Sequence, residues 1–365
     1  MKLERISKIT RKENRCFTSI NTTQSIMNNK YKCVIWDLDN TLWKGTFLEG
    51  DSIILSPEHR KLLFDLDQRG ILQSIASKNN EEDILLKLKE LGIEEYFLYP
   101  QIHWGPKSES IKNIARNLNL NCDSFIFIDD SEFELDEVKN CIPEVCCISN
   151  SKELLQVLDL DNMNVTEESK MRRLLYSDER RRKIDEANFQ GTSEEFLASL
   201  GLEVKISRAT KQDISRIEEL TIRTHQLNST GYTYSYDELL EMISDDKYMI
   251  YVVELKDKYG GYGKIGIVVV ELKGNEWILK LILVSCRVMS RGIGTVILNW
   301  LCMKAKKQAA ILKAEFVHNS KNRIMYVTLR FAGFLQETVQ DNYEMLVNNL
   351  DNVSKIPDYI VIREI

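Results

Sequence analysis

The stretch Val34-Ile35-Trp36-Asp37-Leu38-Asp39-Asn40-Thr41-Leu42-Trp43 decides the reading of this chain. A short apolar run ends in two carboxylates spaced i, i+2, followed by a threonine. In a strand that spacing puts both side chains on one side, and at the strand's carboxyl end the chain is already turning. Two acidic groups in a crevice at the end of a buried parallel strand are costly without a cation. A solvated acidic loop after a strand is the plain alternative.

Outward from this stretch, residues 31–150 alternate strand and helix. Helical period runs over 57–69, with Leu62, Leu63 and Leu66 on one face. A second strand, 71–76, stops at Ser77-Lys78-Asn79-Asn80, and a helix over 81–91 closes at Gly92. A helix over 108–118 and a strand over 124–128 follow. Buried apolar strands alternating with amphipathic helices predict a doubly wound parallel α/β sheet, with its ligand site beyond the strand carboxyl ends.

Four of those ends carry polar groups. They are Asp37/Asp39/Thr41, Ser77 with Lys78 and Asn79, Lys107 in Trp104-Gly105-Pro106-Lys107-Ser108, and Asp129-Asp130 after Phe125-Ile126-Phe127-Ile128. Singly, Lys107 reads as a solvated helix start and Asp129-Asp130 as a turn. Together they meet what phosphoryl transfer requires: a carboxylate, a metal, a cation and a hydroxyl held in place. The set resembles the four motifs of the haloacid-dehalogenase (HAD) phosphohydrolases. That resemblance implies a nucleophilic Asp37 that forms an aspartyl-phosphate, and an acid/base Asp39. It implies phosphate contacts from Thr41, Ser77, Lys78, Asn79 and Lys107. Mg2+ would be held by Asp37, the Asp39 carbonyl, Asp129 and Asp130. Residues 44–57 are too few for a globular cap, so a capless core open to a bulky or protein-borne substrate is expected, unless the second half or another subunit covers it.

At 365 residues and 43% hydrophobic the chain is long enough for two domains with ample core. A formal net charge of −6 argues against a dedicated nucleic-acid binder. No apolar run approaches the roughly 18 residues that span a bilayer. Eight cysteines without a Cys-x-x-Cys pair or a secretory signal read as reduced thiols of a cytoplasmic protein, not a disulfide framework or zinc site. Residues 1–30 are polar and basic and read as a flexible arm, with a transit peptide as the alternative. Residues 151–200 read as a helical linker. Its run Arg180-Arg181-Arg182-Lys183 suits an acidic partner, though such a run is more often a solvated helix face.

From 201 to 350 the pattern changes to strand 202–207, helices 212–223 and 236–243, and strands 249–254, 264–271 and 277–284. A helix over 292–307, strand 311–317, helix 322–331 and a final strand 343–347 complete it, leaving 351–365 as a C-terminal tail. Antiparallel strands leading to Arg291-Gly292-Ile293-Gly294-Thr295 at a helix start resemble the GNAT acyltransferases. There, amides at the helix start hold the pyrophosphate of a pantetheine-bearing cofactor. Met289 stands where many such loops carry Arg or Gln, a departure that weakens the case for ordinary acetyl-CoA binding.

Cys286 follows the strand that runs into this turn. Arg287 and the coming helix start are expected to lower its pKa, whereas a buried core thiol is the alternative. Several motifs together resemble the FkbH-like family, a HAD core of subfamily IIIC fused to a GNAT-like domain, over about residues 31–347. They include the opening stretch, Ser77-Lys78-Asn79-Asn80, Trp104-Gly105-Pro106-Lys107-Ser108, Arg223-Thr224-His225-Gln226-Leu227-Asn228 and Ser285-Cys286-Arg287-Val288-Met289. His225 and Ser290 depart from the usual Asn and Gly. The resemblance implies glyceryl transfer from 1,3-bisphosphoglycerate through a Cys286 thioester to the pantetheine thiol of an acyl-carrier protein, with phosphate removed at Asp37. It assigns pantetheine or acyl contacts to Arg287, Arg291, Gly292, Gly294, His318 and Asn322, and substrate contacts to His225 and Asn228. The two histidines are candidates to deprotonate a thiol, with structural roles as the alternative. A plain Mg2+-dependent phosphatase, or a carrier-protein acyltransferase for another phosphorylated hydroxy acid, are the competing readings.

Overall fold

The computed structural model describes residues 30–160, 163 and 165–365; the basic arm, apart from Lys30, lies outside them. The first sheet is parallel and built on β1 (Cys33–Trp36), every residue of which is buried. Its neighbours are β2 (Leu72–Ser77) and β4 (Phe125–Ile128), with β3 (Gln101–Ile102) and β5 (Cys146–Ile148) at the edges, in the order β3-β2-β1-β4-β5. Both faces of β1 are covered, which is why it reads as a continuous apolar run. Val34 and Trp36 pack into one core, and Cys33 and Ile35 into the other. The Trp36 indole donates to Gln73 (3.2 Å), whose amide donates to the Leu63 carbonyl (2.9 Å), so this core's buried polar groups are paired.

The doubly wound expectation holds, with two short strands and the helix Glu132–Cys141 added. Edge strands of two or three residues are too short to show a period.

The second sheet is mixed and eight-stranded. Antiparallel β6 (Leu202–Arg208), β7 (Tyr248–Asp257), β8 (Gly260–Lys273) and β9 (Glu276–Val284) run into a crossover helix, Ile293–Lys307. That helix returns the chain to β10 (Ile311–Val317), parallel to β9. β12 (Tyr343–Asn348) and β11 (Leu335–Gln340) extend one edge. β13 (Ile360–Glu364), expected as tail, pairs parallel with β6 at the other edge. Among the described residues no helix is long and apolar enough to cross a membrane.

The segment between the sheets is helical as expected, but it is not a solvated spacer. In the helix Arg172–Asn188, Arg182 has a side-chain exposure of 0%. Its guanidinium donates twice to Asp257 (2.7 and 2.9 Å) and lies 3.9 Å from the Tyr262 ring centre. The solvated-face reading holds for Arg180 and Arg181, which are exposed, and fails at Arg182, where β8 packs against the helix. Arg173 reaches back to Asp67 (2.9 Å) and Lys183 to the Asn117 carbonyl (2.7 Å). Direct bonds from Gln226 to Asn121 (2.8 Å) and from Lys32 to the Arg223 carbonyl (2.7 Å) also tie the halves together.

Candidate active site

The carboxyl ends of β1, β2 and β4 converge on one cleft, whose eleven lining residues all lie between Asp37 and Glu134. No other element covers it among the described residues, in keeping with a capless core. Asp37 leaves β1 with its amide bonded to the Ile128 carbonyl (2.9 Å). The chain then turns through Asn40, which adopts a left-handed φ of 56°, a conformation asparagine tolerates better than most residues. The Asn40 carboxamide accepts from Gly45 N (3.1 Å), holding the turn closed. Lys107 opens the helix Lys107–Leu118, whose first turn is anchored by Glu137 accepting from Ser108 N (3.0 Å).

The Lys107 ammonium donates to Asp37 Oδ1 (2.5 Å) and Asp129 Oδ2 (2.8 Å), and all three side chains are buried. Burial raises Asp37 to about 6, and the neighbouring Asp129 adds to this against the pull of Lys107. Asp129 is raised too, again mainly by burial. Asp39 takes another direction: Oδ1 accepts from the Trp43 indole (2.9 Å) and Phe47 N (3.2 Å), and Oδ2 from Asn79 (3.1 Å). Asn79 also donates to Ser77 Oγ (3.3 Å), and its Oδ1 is buried without a partner among the described residues. Thr41 exchanges hydrogen bonds with the Asp130 side chain (3.2 Å) and amide (3.1 Å). Lys78 sits on the rim, paired with Glu134 (2.6 Å). Thus the expected residues of the first half line one cleft, except Thr41, which is tied to it through Asp130. Glu134 and Glu137 were not foreseen, since each lies outside a motif, and the sequence gives Trp43, inside the opening stretch, no role.

Asp37, Asp129 and Asp130 each offer an oxygen, all within 4.8 Å of one another. Three hard oxygen donors around partly uncompensated charge suit a divalent cation such as Mg2+. The Asp39 side chain is not in that group, being held by Trp43, Phe47 and Asn79, so only its carbonyl is left as a ligand.

No protein-family model matches the chain, and no curated protein matches it. Among solved structures, 40% of the chain is similar to the N-terminal part of protein BF1531 from Bacteroides fragilis. That fragment contains a phosphatase domain and is complexed with Mg; identity is 28%, TM-score 0.33, and the match spans 43% of that chain, under half its length. The ribosomal-protein-S18-alanine N-acetyltransferase of Escherichia coli matches at 16% identity (40% of this chain, 90% of that one, TM-score 0.31). The PaiA N-acetyltransferase of Thermoplasma acidophilum, in complex with coenzyme A, matches at 14% (40% and 98%, TM-score 0.32). At these scores the likenesses establish neither family nor activity.

Residues foreseen for the second half are dispersed. Cys286 is half-buried at the start of a 3-10 turn, Cys286–Arg291. Its thiol is raised, not lowered: burial outweighs Lys32 and the backbone groups of Gln226, Leu227 and Cys286 that favour the thiolate. Lys32, not Arg287, is the cation acting on the sulfur; Arg287 turns to the Tyr262 carbonyl (3.1 Å). Arg291 is fully buried and paired with Glu179 (3.1 Å) and Glu186 (3.0 Å), which removes it as a cofactor contact. Asn322 is equally committed, donating to the Asn228 (3.2 Å) and Val317 (2.9 Å) carbonyls. Asn228 holds its own loop, accepting from Thr230 N and Gly231 N. His318 bonds Glu344 (2.7 Å), and His225 is lowered to about 4 by burial and by Lys32. Gly292 (φ 67°) sits exposed before the crossover helix, while Gly294 is buried against Thr328.

Proposed function

We propose a two-centre enzyme, with residues 31–150 hydrolysing a phosphomonoester and residues 201–350 carrying an acyl group on Cys286. The observation behind the first centre is the buried Lys107 bridge between Asp37 and Asp129 at the carboxyl edge of a parallel sheet. Asp37 attacks phosphorus in line and takes the phosphoryl group, while Lys107 neutralises charge on the equatorial oxygens. Asp39, oriented by Trp43 and Asn79, gives its proton to the departing alkoxide. It then removes one from the water that cleaves the aspartyl-phosphate. Mg2+ held by Asp37, Asp129 and Asp130 would neutralise charge on the phosphoryl oxygens.

For the second centre the favoured donor is 1,3-bisphosphoglycerate, whose acyl phosphate is open to thiolate attack. Cys286 would displace phosphate and pass the acyl group to the pantetheine thiol of a carrier protein in the cytoplasm. Lys32 precedes β1 and Asp37 follows it, so the centres sit at opposite ends of the strand. Five residues of strand span roughly 16 Å. A phosphoglyceryl group on Cys286 therefore has to be carried to Asp37, and a pantetheine arm suits that task. Intact-protein mass spectrometry with 1,3-bisphosphoglycerate, Mg2+ and a pantetheinylated carrier tests this. A glyceryl-loaded carrier and a Cys286 adduct support it. Phosphate release without either adduct would leave a plain phosphatase, the reading favoured by the raised Cys286 thiol.

A further inference from the structure

A second cleft lies at the opposite edge of the parallel sheet, where both halves meet around Cys286. Five cations line it, Lys32, Arg172, Arg216, Arg223 and Arg287, and no carboxylate does. Arg216 and Arg287 are only 5% and 7% exposed, and each keeps a guanidinium nitrogen (Arg216 Nε, Arg287 Nη1) without a partner among the described residues. Behind them one acid, Glu219, bonds both Arg172 and Arg216 (2.7 Å to the latter). The remaining guanidinium bonds go to carbonyls: Gly70 from Arg172 (2.8 Å) and Arg223 (3.4 Å), Lys264 from Arg216 (3.0 Å) and Tyr262 from Arg287 (3.1 Å). Carbonyls orient a guanidinium but do not cancel its charge. Burial and neighbouring cations accordingly pull Arg223 down to about 9 and Arg287 to about 10. Buried cations in such excess are costly unless an anion joins them.

We infer that this cleft is an oxyanion site that takes the phosphate of a small phosphorylated acid and sets its acyl end beside Cys286. Unsatisfied planar donors from two arginines match the tetrahedral, multiply charged oxygens of a phosphate monoester. Leu72, Leu120 and Leu220 bound the space and keep it small. The anion site stands on the arginines alone; only the placement of the acyl end rests on the proposed transfer.

The test is the rate at which N-ethylmaleimide labels Cys286, read by peptide mass spectrometry on the full chain with EDTA present, so that the Asp37 centre holds no metal. The probes are 3-phosphoglycerate, inorganic phosphate, glycerate and coenzyme A. Protection by 3-phosphoglycerate, weaker protection by phosphate and none by glycerate is the expected result. Arg216→Gln and Arg287→Gln should raise the half-protecting concentration about tenfold or more, the loss of one charge-assisted bond, with Arg287→Lys in between. The melting temperature of Arg287→Gln without ligand should hold or rise, because a charge with no carboxylate partner is gone; an arginine that merely braces the interface would instead lower it. If the glutamine variants do not fold, the comparison of glycerate with 3-phosphoglycerate on the unaltered protein decides. No protection at concentrations on the order of 10 mM, equal protection by glycerate, or protection by coenzyme A alone overturns the inference. Protection without any thioester would uphold it and defeat the transfer reading. Thioester formation unaltered in both glutamine variants would defeat the inference alone.

Discussion

Asp37 must be an anion to attack phosphorus, yet burial and Asp129 hold its carboxyl up at about 6. A proton and a divalent cation therefore compete for the same oxygen. In the metal-free protein Asp37 is half protonated near pH 6, so Mg2+ affinity should be flat above pH 7. It should weaken by up to tenfold per unit below pH 6, as titration calorimetry at pH 5, 6 and 7 would read. The sign for stability is opposite to that of an ordinary ion-paired aspartate. Between about pH 4 and 6 the unfolded chain gives up this proton before the folded one does. Metal-free protein should lose stability as pH rises through that window, and Mg2+ should restore it. Asp37→Asn should cut phosphate release by roughly 10³-fold or more while the circular dichroism spectrum is unchanged.

At the scale of elements, the helix Arg172–Asn188 shows why a basic run need not be a wet face. Arg182 points into the sheet and meets Asp257 in a two-pronged bond, with Tyr262 beneath. Arg182→Ala leaves Asp257 without its cation and should cost about 3–5 kcal/mol in urea unfolding, the range for breaking a buried pair. A result near zero would mean that the helix is not seated this way in solution. The edge strand β13 makes a related point: Glu364 accepts from the Trp300 indole (3.1 Å) and pairs with Lys304, so residues expected as tail are bound to the crossover helix.

Across the whole molecule, the phosphate cleft and Cys286 lie at opposite edges of one parallel sheet, so the two half-reactions should separate. Cys286→Ala should stop acyl loading of the carrier while hydrolysis of a small phosphomonoester continues within twofold or so, since additivity holds for distant sites. Equal loss of both activities would place the thiol within reach of Asp37. Without a carrier, the adduct trapped on Cys286 should still hold its phosphate. A dephosphorylated adduct would show that the group reaches Asp37 without a pantetheine arm.

The first half was legible because its chemistry sits at element ends that the pattern itself marks. Apolar strands stop where Asp37, Ser77 and Asp129 begin, and a parallel sheet gathers all such ends on one side. Order along the chain thereby became proximity in space. The second half offered no such rule. Cys286 lies near Lys32, 254 residues earlier, and near arginines from two helices that no spacing relates. Its thiol is raised because burial, a property of packing, outweighs the local charges that a sequence displays. Arg291 looked free for a ligand until a helix from the linker brought Glu179 and Glu186 against it. Local pattern determined the long strands, most of the helices and the first cleft, but not the short edge strands β3 and β5, the helix Glu132–Cys141 or β13. Only the docking of one sheet on the other decided which charges were paired and which were left waiting for an anion.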